Sequence, residues 1–157
     1  MLKSVRYLSL AVLFVLVSVS CGAPPPKPKA ANQDPTTEPR YVQAVEKLTT
    51  LAHDATAYLK DNKKDEAAAL ITEGQPLINQ VLAVPRPPLA AMEAASDLDD
   101  LYARMLLSNG HFGWARILFQ KNQARWKNWQ PQTEETTRRR KLAADGIAEC
   151  DKKILQQ

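Results

Sequence analysis

The chain has 157 residues, a formal charge of +4, two cysteines, two histidines and eleven prolines. That length allows one domain with a modest core. Lys3 and Arg6 carry half of the net charge, and the +2 left on the remainder is too little to argue for nucleic-acid binding.

Residues 1–20 begin with Lys3 and Arg6, run apolar from Leu8 to Val17, and lead through Ser18, Val19 and Ser20 to Cys21 and Gly22. The run is too short to span a bilayer. A positive start, an apolar centre and a small-residue end are the layout of an export signal. This segment resembles the signal peptide of bacterial lipoproteins, with Ser18 where that family usually has leucine. The resemblance implies that Cys21 is alkylated by diacylglycerol, becomes the first residue after cleavage, and is then acylated, palmitate being the usual kind of chain. Gly22, in place of the Asp that often favours inner-membrane retention, implies an outer-membrane anchor facing the periplasm. A secreted protein cut near Ser20 and an uncleaved anchor are the alternatives. With Cys21 consumed by lipid, Cys150 stands alone and an intrachain disulfide is excluded.

Residues 21–39 carry Pro24, Pro25, Pro26, Pro28, Pro35 and Pro39 among Lys, Ala, Asn and Thr. Such a composition buries no apolar surface and predicts a disordered, partly polyproline tether. At roughly 3 Å per residue it reaches about 50 Å from the membrane.

Residues 40–157 read as five helices and no strands, an all-α domain. Val45, Leu48, Ala52, Ala55 and Leu59 lie on one face of the first helix, which the Asp61-Asn62-Lys63-Lys64 stretch ends. The second starts at Asp65 and buries Ala67, Leu70, Ile71, Leu77, Ile78, Val81 and Leu82, with a kink or break expected at Pro76. After Val84-Pro85-Arg86-Pro87-Pro88, the third uses Ala91, Ala94, Leu98, Leu101 and Met105, with Asp100 and Arg104 spaced to pair. Ser108-Asn109-Gly110 is a turn. The fourth helix sets Phe112, Ala115, Phe119, Trp126 and Trp129 along one seam and ends before Pro131. Thr133, Glu134 and Glu135 start a fifth that buries Ala143, Ile147, Cys150 and Ile154.

Gly110, Phe112, Ala115 and Phe119, with Ala103 and Leu106 before them, resemble the second half of a tetratricopeptide repeat. Tyr58, Ala67 and Ile71, with Ala55, form a weaker copy upstream. The resemblance implies two antiparallel helix pairs and a capping helix, in which small residues allow close crossings. Asp99 stands in place of the family's tryptophan, the terminal proline is late at Pro131, and Ala67 and Ala115 are 48 residues apart against a period of 34. An irregular helical bundle is the alternative.

Little in the chain promises catalysis. His53 and His111 lack neighbouring ligands, so no metal is expected, and without a Cys-x-x-Cys-His sequence there is no c-type haem. Asp97, Asp99 and Asp100 read as a solvated face. Nucleophile, phosphate-loop and dinucleotide motifs are missing, so neither an enzyme nor a cofactor is expected. Charge is uneven: acids outnumber bases ten to six between Tyr41 and Gly110, while Arg116 to Lys141 holds eight bases against Glu134 and Glu135. Trp114 falls off the seam of the fourth helix beside Arg116, Lys121, Arg125 and Lys127, and these five are the candidate partner-binding residues. The expectation is a non-enzymatic, membrane-anchored scaffold that binds an envelope protein in a groove between helices three and four. The alternative is a module for an anionic polymer or lipid headgroups, using Arg116, Arg125, Lys127 and Arg138 to Lys141.

Overall fold

The computed structural model describes residues 34–156. The export signal, Cys21 and most of the expected tether lie outside them. The end of the tether does not: Asp34 accepts hydrogen bonds from the Thr36 amide (2.9 Å) and hydroxyl (2.8 Å), which folds Pro35–Thr37 into a 3-10 turn. Pro39 then starts the first helix, its fixed φ suiting a first-turn position.

Five helices follow: α1 (Pro39–Lys60), α2 (Lys64–Leu82), α3 (Leu89–Ser108), α4 (Phe112–Asn128) and α5 (Glu134–Ile154). No strand occurs among the described residues, and none of their helices is long and apolar enough to cross a membrane. Helix α3 touches the other four, whereas α1 and α2 meet neither α4 nor α5.

Two hairpins are built alike. α1 ends on Asn62 at φ 60°, where the amides of Asn62 and Lys63 donate back to the Leu59 and Tyr58 carbonyls. α3 ends on Gly110 at φ 80°, where Gly110 and His111 donate to Leu107 and Leu106. Both are left-handed caps with the same paired hydrogen bonds, and asparagine and glycine are the residues that tolerate that backbone. The same 48-residue offset relates the fully buried pairs Ala55 and Ala103, Ala67 and Ala115, and Phe119 with the near-fully buried Ile71. Small residues at the crossings let the helices approach; large ones fill the space between.

The core has two parts. Leu48, Ala52, Ala55, Ala67, Ile71, Ile78, Val81 and Leu98 form the larger, among α1, α2 and α3. The smaller joins Ala103, Ala115, Phe119 and Cys150 across α3, α4 and α5. Gly146 lets α5 close on α4, since a Cβ there would meet the Phe119 ring at 2.8 Å.

Three expectations are corrected. Pro76 does not split α2, which runs on to Leu82, so of the kink or break expected there the break does not occur; Pro76 and Thr72, whose carbonyl it leaves without a helical donor, are both exposed. Trp129 is not on the seam of α4. It follows the last turn in extended conformation, because Gln130 precedes Pro131 and the chain must leave the helix there. Gln132 closes that end by donating to the Trp126 carbonyl at 2.9 Å. Ile154, expected inside, is exposed in the last turn of α5.

Phe119 and Trp126 are both fully buried. Alanine at either is expected to cost about 3–5 kcal/mol in urea unfolding. Gly146→Ala is expected to cost about 1–3 kcal/mol by overpacking.

Candidate functional site

Helix α4 carries all five of the candidate partner-binding residues, and the fold treats them differently. Trp114 is 68% exposed and Ile117, one turn on, is 52% exposed. Residues three apart share a helix face, so the two form an apolar spot on the outer side of α4. The seam residues Ala115, Phe119 and Trp126 point the other way, into the protein.

Three of the four candidate cations are engaged. Arg116 donates to Asp151 of α5 at 2.6 Å. Lys121 and Arg125 both reach Asp99 of α3, at 3.1 and 3.0 Å. Arg125 is thus a structural residue, its side chain only 6% exposed. Lys127 alone of the four meets no carboxylate among the described residues; it lines a cleft between α4 and α5.

Asp99 does not belong to a solvated face. It is fully buried, together with Ser96, Asn122 and Thr136. The Asn122 amide donates to the Ser96 carbonyl (3.0 Å), the Trp126 indole to the Ser96 hydroxyl (2.7 Å), and Arg125 to both Asn122 and Asp99. Asp99 Oδ1 is left without a hydrogen-bond partner. This polar layer fills the middle of the α3–α4 interface. Clefts open between α1 and α3, where Thr49, His53 and Asp97 stand, between α4 and α5, and at two places where α3, α4 and α5 meet, one beside Phe112 and one beside Asn122.

The other acids and the basic run are also paired. Asp100 holds Arg104 at 2.7 Å, as their spacing predicts. Asp97 holds Arg139, whose guanidinium lies 5.4 Å from the Trp126 ring centroid. Glu135 takes both Arg138 and Arg139, and the bond from Arg138 leads in holding its carboxyl down at about 2. Of the run from Arg138 to Lys141, only Arg140 meets no carboxylate among the described residues. Cys150 is free and fully buried, and burial pushes its thiol up from the ordinary value.

No group of three or more His, Cys, Asp or Glu side chains that could hold a metal occurs among the described residues. No protein-family model matches the chain, and no curated protein or solved structure is significantly similar to it.

Residues 48 positions before Asp99 and Arg125 are Leu51 and Leu77, the corresponding places in the first hairpin. The ion pair of the second hairpin therefore stands where the first hairpin has two leucines, Leu51 buried and Leu77 half-buried. Asp99→Leu alone strands Arg125 in the interior and is expected to cost about 3–5 kcal/mol, whereas Asp99→Leu with Arg125→Leu is expected to be neutral or stabilising. Chemical denaturation of the two variants checks this.

Proposed function

We propose that the protein is a lipid-anchored helical scaffold of the bacterial envelope, held at the outer membrane through Cys21 and binding another protein without catalysis. The observation that carries the binding reading is the Trp114 and Ile117 pair on the outer face of α4. A tryptophan and an isoleucine left side by side in water are favoured where a partner covers them, and tryptophan is enriched among residues that dominate interface energies. The packing supports the reading, since helix pairs that meet only through α3 expose more surface than a closed bundle of equal length. The resemblance of both hairpins to tetratricopeptide repeats agrees with it.

A partner face built on Trp114 and Ile117 is chiefly apolar, because Arg116, Lys121 and Arg125 are already bound to acids of the same chain. Its complex is therefore only weakly dependent on salt.

Trp114→Ala combined with Ile117→Ala is expected to leave the thermal melt within about 0.5 kcal/mol of the parent. The same variant is expected to lose the crosslinked species that the parent forms in intact envelopes. Retention of that species would dismiss α4 as the binding face. Cys21→Ser is expected to abolish lipid attachment, read as loss of acyl mass and of membrane fractionation; an unmodified Cys21 on the mature parent protein would end the anchoring reading.

A further inference from the structure

Eight basic residues lie between Arg116 and Lys141. Six are held by carboxylates of the same chain: Arg116 by Asp151, Lys121 and Arg125 by Asp99, Arg138 and Arg139 by Glu135, and Lys141 by Asp145. The two that meet no acid among the described residues, Lys127 and Arg140, line one cleft from opposite walls, Lys127 on α4 and Arg140 on α5. The cleft measures about 540 Å³ and is open to solvent.

The rest of the lining suits an oxyanion. Gln123 stands one turn before Lys127 and brings an amide donor, while Thr137 stands one turn before Arg140 and brings a hydroxyl. Ala144 leaves room. Lys141 also lines the cleft and is held by Asp145 at 2.7 Å. No acid is among the lining residues, so the lining itself is positive, and Glu134 stands one turn before Thr137. Two unmatched cations lining one cleft repel, and an anion between them turns that repulsion into attraction. A carboxylate carries one charge and leaves one cation unmatched. A phosphate monoester carries about −1.5 to −2 at neutral pH, with three strong acceptor oxygens. Arg140 can meet two of these with its planar fork while Lys127 supplies a point charge.

We propose that the α4–α5 cleft is a phosphate-binding site, in which Lys127 and Arg140 supply the charge and Gln123 and Thr137 the neutral hydrogen bonds. The phosphate is presented either by a small soluble ester or by an anionic lipid headgroup. The site is independent of the Trp114 face and stands or falls separately.

The test titrates the full chain, isotope-labelled and kept in a non-ionic detergent, with inorganic phosphate at constant ionic strength, and follows its amide and arginine side-chain signals by NMR. The expected result is a saturable shift confined to residues 123–127 and 137–144, with sodium chloride giving none. Lys127→Ala with Arg140→Ala should weaken it about tenfold or more. Arg138→Ala with Lys152→Ala, which removes as much charge outside the cleft, should leave it unchanged. A second titration with water-soluble, short-chain phosphatidic acid, whose headgroup is a phosphate monoester, separates the sources: tighter binding than inorganic phosphate identifies a lipid headgroup, and weaker binding a soluble ester. Absence of saturation with both probes, or equal loss in both double variants, overturns the proposal.

Discussion

Helix α3 must bury two faces at once, and the rest of the fold depends on that. Ala91, Ala94, Ala95 and Leu98 are closed in among α1, α2 and α3. Ser96 and Asp99 turn to α4, where they take the donors of Asn122, Arg125 and Trp126. A helix in that position cannot carry large side chains all round, and alanine at its crossings is what lets neighbours come close on both sides. Because α1 and α2 never reach α4 or α5, every coupling between the two hairpins passes through α3.

The two hairpins share a plan but not a chemistry. In the first, Leu48, Leu51 and Ile78 are buried; 48 residues later the same places hold Ser96, Asp99 and Trp126. An apolar core is non-directional and tolerates shifts of register. A layer of hydrogen bonds and one buried ion pair works only in one arrangement, and each member that loses its partner is costly. The second hairpin therefore gives up some of the apolar stabilisation of the first and holds α4 in a single register against α3. That register decides which residues of α4 face outward, Trp114 and Ile117 among them.

Charge in this protein is mostly structural. A basic stretch from Arg116 to Lys141 reads as a field for polyanions, yet six of its eight cations neutralise acids on other turns or other helices. Asp151, Asp99, Asp97, Glu135 and Asp145 are the reason, and four of them lie outside the basic stretch in sequence. Exposed pairs of this kind contribute little stability individually. What they do is remove charge from the surface, leaving an apolar spot on one side of α4 and a small positive cleft on the other.

The helices themselves were legible in the chain, because periodicity is a local property and each helix here has an apolar face, a capping residue or a proline to bound it. Tyr41 to Lys60, the Asn62 and Gly110 turns, the Thr133 start of α5, the burial of Phe119 and Trp126 and the exposure of Trp114 all follow from spacing alone. The partners of the charged residues do not. Asp97, Asp99 and Asp100 look alike as a run, and only the packing of α4 and α5 against α3 sends Asp97 to Arg139, Asp99 into the interior and Asp100 to its own helix. Pro76 within an intact helix and Trp129 outside one also depended on surroundings: an exposed face at the first, and a chain pulled straight by the next proline at the second. Sequence spacing thus determined which residues share a face, while tertiary structure decided what that face meets, because ion pairs and buried polar layers join residues 26 to 42 positions apart that no local period relates.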